Sequence, residues 1–208
     1  MIKCIIFDCD GTLVDSEFLC NLGLEIKLRD YGVELSAKEM MERFRGGKLA
    51  TILEALASEH QITLKENFVS SYRTLVNELF EKSLKPCEGV SEVLATIKLA
   101  KCVASSGPME KIHHALSISG LSKYFNGKIY SSYEVGSWKP DPGIFLYAAK
   151  EMGFQPSECA VVEDSPLGIS AAESAGMRPI LYNPNDAYDT TLPLYTIKHM
   201  RELHRAIA

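Results

Sequence analysis

A chain of 208 residues with a formal net charge of −5 and 46% hydrophobic residues can bury one substantial core, and it lacks the basic excess of a nucleic-acid binder. No apolar run approaches the roughly 18 residues of a membrane span, and the start MIKCIIFDCDG reads into a strand rather than a signal peptide, so a cytoplasmic protein with no membrane partner is expected. The six cysteines form no C-x-x-C pair, and Cys4, Cys102 and Cys159 lie in or beside apolar runs, which favours buried free thiols in a reducing compartment.

The first predicted element is the apolar run IKCIIF at 2–7. It is followed by a long stretch, residues 15–85, without a convincing strand. There SAKEMMERF opens with Ser36 and Glu39 at the spacing of a capping box, and Leu64, Phe68, Leu75, Leu79 and Phe80 recur near the helical period. An all-helical insert over 15–85 is therefore expected, set into a core made of 1–14 and 86–208. Beyond it come four more short apolar runs: KCVAS at 101–105, KIYSS at 128–132, ECAVVE at 158–163 and RPILY at 178–182. They scarcely alternate, which suits parallel strands covered on both faces. The segments between them, PMEKIHHALSISG, PGIFLYAAKEMG and PLGISAAESAG, each start on proline and end on glycine, the punctuation of a helix. Strand and helix in alternation predict an open α/β sheet.

In such a sheet ligands bind beyond the carboxyl ends of the strands. The first strand ends in DCDGT, with Asp8 and Asp10 pointing the same way and Gly11 permitting a sharp bend. Crowded carboxylates need a compensating cation or a shared proton. An EF-hand loop also begins D-x-D, but Gly11 comes too early for one and the flank is a strand. A merely solvated turn is the other simple reading. Three further strand ends weigh against it, because each carries chemistry-capable residues: Ser105-Ser106-Gly107, Lys139 in WKPDP, and Glu163-Asp164-Ser165.

The set DCDGT, VASSG, WKPDP and VVEDS resembles the four motifs of the haloacid dehalogenase-like phosphohydrolase superfamily, over essentially the whole chain. The insert is similar to the α-helical cap of its phosphoglycolate phosphatase and β-phosphoglucomutase branch. The resemblance implies a three-layer Rossmann-like sandwich around a parallel sheet, with a mobile cap. It implies Asp8 as a nucleophile forming an aspartyl-phosphate, Asp10 as general acid and then base, and Ser105 and Lys139 as groups that hold the phosphoryl oxygens. Magnesium (Mg2+) is the implied cofactor, held by the Asp8 side chain, the Asp10 carbonyl and Asp164, with Glu163 assisting. Thr12, Ser106 and Gly107 would order or line the phosphoryl site. In the cap, Arg45, Gly46 and Lys48 of RFRGGKL fall where family caps carry a specificity loop.

The dehalogenases of this superfamily lack the second aspartate of DCDGT, so Asp10 speaks against that activity. A β-phosphoglucomutase-like mutase is nearer, but its histidine and its cap arginine match Cys20 and Leu49 here. A non-catalytic binder of phosphometabolites would be expected to lose one of these groups, and none is missing. The stretches DCDGTLVDSE, RFRGGKL and WKPDP look most like bacterial sugar-phosphate phosphatases of the 6-phosphogluconate phosphatase type. The expected partner is thus a small-molecule phosphate ester, with the protein a monomer or a homodimer. His113 and His114 diverge by about 100 degrees on a helix and are read as surface or packing residues, not a metal pair. Trp138 reads equally as a lid over the site entrance or as an ordinary half-buried side chain.

Overall fold

The computed structural model describes residues 1–44, 47–188 and 195–208. The chain divides into two compact units, Met1–Val14 with Lys85–Ala208, and Asp15–Leu84. Residue 85, expected within the insert, belongs to the first unit. There Pro86 bridges antiparallel to Val14, and the Cys87 amide donates to the Leu13 carbonyl at 2.9 Å.

Strand β1 (Cys4–Phe7) is buried along its whole length. Such burial is possible only because both of its edges are paired and both of its faces are covered. The second unit follows it and, among the described residues, has four helices: α1 (Glu17–Arg29), α2 (Ala37–Phe44), α3 (Leu49–Glu59) and α4 (Phe68–Ser83). The capping box is formed, with the Glu39 amide donating to Ser36 Oγ at 3.2 Å and the Ser36 amide to Glu39 Oε2 at 2.9 Å. Helices α1 and α4 cross closely at Gly23, where a Cβ would lie 2.8 Å from Val76 Cγ2 and 3.2 Å from the Tyr72 ring.

The first unit then resumes with α5 (Val90–Thr96), β2 (Ala100–Ser105), α6 (Met109–Ile118), β3 (Ile129–Ser131), α7 (Ser132–Val135) and α8 (Gly143–Met152). It closes with β4 (Cys159–Glu163), α9 (Pro166–Ser174), β5 (Arg178–Tyr182), β6 (Tyr195–Ile197) and α10 (Leu203–Ala206). Among the described residues the strands make one parallel sheet in the order β3-β2-β1-β4-β5-β6. Cys4 and Ile6 pack with Ile144, Phe145 and Ala148 of α8 and with Ala171 and Ala172 of α9. Phe7 points to the opposite face, as strand alternation requires, and meets Phe125 edge-on at 6.2 Å. Two apolar faces on one sheet give the expected three-layer α/β sandwich. Strand β6 is an addition to the five strands expected, a three-residue edge piece whose first residue, Tyr195, is exposed. All six cysteines are free thiols. Among the described residues no helix is long and apolar enough to cross a membrane.

The α1–α4 crossing sets two effects against each other. Gly23→Ala should gain about 0.8–1.0 kcal/mol of helix propensity and lose about 1–3 kcal/mol to overpacking, because Val76 is stiff at χ1. A net fall in the thermal midpoint is expected; a rise would show that α1 and α4 separate without cost.

Candidate active site

Strands β1 and β4 are neighbours, yet the sheet grows from β1 toward β2 and β3, and from β4 toward β5 and β6. The order of strands reverses between them, and a crevice opens beyond their carboxyl ends. Asp8 stands at one side of it, its amide donating to the Val162 carbonyl at 2.9 Å and so extending the ladder of β1. Glu163 ends β4, and Asp164 follows it. All three carboxylates are buried and offer oxygens within 4.8 Å of one another.

Lys139 arrives from the turn before α8, in which the Asp141 amide donates to the Trp138 carbonyl at 2.9 Å. Its side chain is 4% exposed, and its ammonium is ion-paired with Asp8 and lies 2.6 Å from Glu163 Oε1. The same nitrogen lies over the ring of Phe145, 5.0 Å from its centroid. The other oxygen of Glu163 accepts from the Ser165 amide at 2.7 Å and the Ser165 hydroxyl at 2.8 Å. Ser165 also caps α9, accepting from the Gly168 amide at 3.1 Å. Two glycines make room for these acids. A Cβ on Gly11, at φ +74°, would lie 2.3 Å from Asp164 Oδ2, and one on Gly168 would lie 2.0 Å from the Glu163 carboxyl carbon.

On the β2 side, Ser105 Oγ accepts from the Gly107 amide at 3.1 Å, a use that leaves the hydroxyl hydrogen for another acceptor. Ser131, at the end of β3, donates to the Gly107 carbonyl at 2.6 Å and accepts from the Tyr133 amide at 3.2 Å. Thr12 donates to Asp164 Oδ1 at 3.4 Å. The Asp10 carboxylate is gripped at both oxygens by Lys111 Nζ, each at 2.8 Å. Asp8, Asp10, Thr12, Ser105, Gly107, Lys139, Glu163 and Asp164 thus converge on one edge of the sheet, with half-exposed Ser106 between Ser105 and Gly107. Arg45 and Gly46 lie outside the described residues, whereas Lys48 is exposed just ahead of α3. Arg43 is engaged within the second unit by Glu59, 3.0 Å away. Trp138 packs edge-on against Tyr133 at 5.5 Å.

Burial pushes the Asp8 carboxyl up to about 7, Lys139 opposes that shift, and Glu163 and Asp10 add to it. Burial alone would discharge Lys139, but Asp8 and then Glu163 carry its ammonium above the ordinary lysine value. Burial, then the adjacent Asp10 and Asp8, raise the Cys9 thiol well above its usual range, which makes it a poor nucleophile. One ammonium thus pairs with two of three clustered buried carboxylates, whose donors are all hard oxygens. Such a set fits a divalent cation that prefers oxygen ligands.

Lys111, Ser131 and Gly168 did not stand out in the sequence. Lys111 did leave one signal: it occupies the first turn of α6, where the helix dipole disfavours a cation unless an acid compensates it. Ser131 and Gly168 matter only through partners distant in the chain or along a turn whose tightness no pattern reveals.

Removing the cation between the buried acids should destabilise the fold. Lys139→Met is expected to cost about 3–5 kcal/mol in chelator-containing buffer, read by chemical denaturation. Unchanged stability would mean that Asp8 and Glu163 do not depend on Lys139.

Residues 2–176 match the haloacid dehalogenase-like hydrolase family. A 6-phosphogluconate phosphatase of Escherichia coli is 34% identical over 97% of this chain and 93% of its own. A fructose-1-phosphate phosphatase of the same organism is 30% identical over 83% of this chain and 92% of its own. A solved haloacid dehalogenase-like protein of unknown function from Agrobacterium tumefaciens superposes with a TM-score of 0.85, at 33% identity, over 100% of this chain and 98% of its own. With the motif residues gathered at one sheet edge and the family match running through them, the chain belongs to the haloacid dehalogenase-like hydrolases.

Proposed function

We propose that this protein is a magnesium-dependent phosphatase that hydrolyses small phosphorylated sugars or sugar acids, 6-phosphogluconate foremost, through an aspartyl-phosphate on Asp8. The observation that carries the reading is the position of Asp8, paired with Lys139 and within 4.8 Å reach of Glu163 and Asp164 oxygens at the point where the sheet reverses. The names of the relatives at 34% and 30% identity support the substrate class.

In the proposed reaction an Asp8 carboxylate oxygen attacks phosphorus and the ester P–O bond breaks. The leaving oxygen takes a proton from the Asp10 carboxyl. Water then attacks phosphorus, Asp10 takes up its proton, and the Asp8–phosphorus bond breaks to release phosphate. Lys139 holds Asp8 in place and offers its charge to the transferring oxygens, with Ser105 and the amides of Ser106 and Gly107 donating to them. Thr12 steadies the Asp164 carboxylate. Asp8, Asp164 and the Asp10 carbonyl would hold Mg2+, and Glu163, whose two oxygens already serve Lys139 and Ser165, would assist by fixing its neighbours. When bound, the ion supplies positive charge that offsets the acids and the phosphoryl oxygens. In the cap segment, Lys48, together with Arg45 and Gly46, is proposed to meet the distal, often anionic, part of the substrate.

Asp8→Asn should abolish phosphate release, and Asp10→Asn should lower it by about 10²- to 10⁴-fold on sugar esters. Chelation should silence the enzyme and added magnesium restore it, in a phosphate-release assay. Activity that survives either change would contradict the assignment. The pH dependence of metal binding has a definite sign. A cation binds the carboxylate form, and the metal-free Asp8 carboxyl is held up to about 7, so binding must displace a proton below that value. Magnesium affinity, measured calorimetrically in buffers of different ionisation enthalpy, should rise as pH approaches about 7 from below and level off above it. An affinity independent of pH across that range would show that Asp8 is not a ligand.

A further inference from the structure

We infer that Lys111 is a positioning residue for Asp10: it fixes the acid beside the phosphoryl-binding loop, and proton delivery to the leaving group depends on it. The inference rests on the proposed role of Asp10 as general acid.

Asp10 lies past the end of β1, on a loop that turns at Gly11 with φ +74°, so no strand fixes its side chain. Lys111 Nζ lies 2.8 Å from each Asp10 oxygen. Both side chains are largely shielded, at 24% and 21% exposure, so the pair is less screened than a surface contact. The geometry also links two loops. Asp10 Oδ2 lies 3.7 Å from where a Gly107 Cβ would stand, and Gly107 is itself tied to Ser105 and Ser131. Lys111 lies in the first turn of α6, the helix that follows Gly107, so its grip holds the acid beside the loop that carries Ser105. A lysine in a first turn is unfavourable to the helix, and the carboxylate of Asp10 provides the compensation. Catalytic groups displaced by even about 1 Å lose large factors in rate, which makes such a grip consequential.

A lysine that orients a proton donor affects poor leaving groups more than good ones. Phenyl phosphate and 4-nitrophenyl phosphate serve as probes, since both are compact aryl esters and only the phenolate of the first needs a proton strongly. The parameter is kcat/KM, which reports phosphoryl transfer to Asp8 and not the later hydrolysis. Lys111→Met should lower kcat/KM for phenyl phosphate by about tenfold or more while that for 4-nitrophenyl phosphate stays within about threefold. Lys111→Arg, which can bond both carboxylate oxygens, should recover most of the loss. Equal losses on the two esters, or no loss on either, would overturn the role of Lys111. Asp10→Asn is measured alongside: if it fails to show the same bias toward the better leaving group, the acid assignment itself falls, whatever Lys111 does.

Discussion

A buried ammonium set between two buried carboxylates is the contact on which the rest of the site depends. Lys139 meets Asp8 at the end of β1 and Glu163 at the end of β4, the two strands that flank the reversal of sheet order. Without it, two charges would stand in an apolar setting at a cost of several kcal/mol each. With it, both acids are fixed in direction, and one ammonium against three clustered carboxyl groups still leaves an excess of acid. That excess of acid fits a divalent cation that prefers oxygen ligands.

The backbone supplies the remaining precision. Gly11 and Gly168 are places where any side chain would occupy the volume of a carboxylate, so two acids approach the main chain closely and take their orientation from it. Ser165 serves two structures at once, capping α9 and holding the second oxygen of Glu163. Ser131 likewise holds the Gly107 carbonyl from a neighbouring strand. The loops after β1, β2 and β4 are thus tied to other segments, by Thr12 to Asp164, by Lys139 to Asp8 and Glu163, and by Ser131 to Gly107. The site is a property of the sheet edge as a whole, and local changes there should spread along it.

The sheet was legible in the sequence because parallel strands buried on both faces show as short unbroken apolar runs. IKCIIF, ECAVVE and RPILY fall on β1, β4 and β5 to within two residues at either end. The helical insert was legible through its capping box at Ser36 and Glu39. Strand β6 was not, since three edge residues carry no period. The motif residues announced themselves because each follows an apolar run. Lys111 did not: it lies 101 positions from Asp10, and nothing local joins the two.

The central claim is chemical: the phosphoryl group passes through Asp8. Its most direct test is acid quenching within milliseconds of mixing enzyme, magnesium and 6-phosphogluconate, followed by peptide mass spectrometry. The account predicts one phosphoryl group on the peptide that contains Asp8, rising before steady turnover and absent in Asp8→Asn. A phosphoryl group found on another residue, or none found while a burst of dephosphorylated product is released, would contradict it.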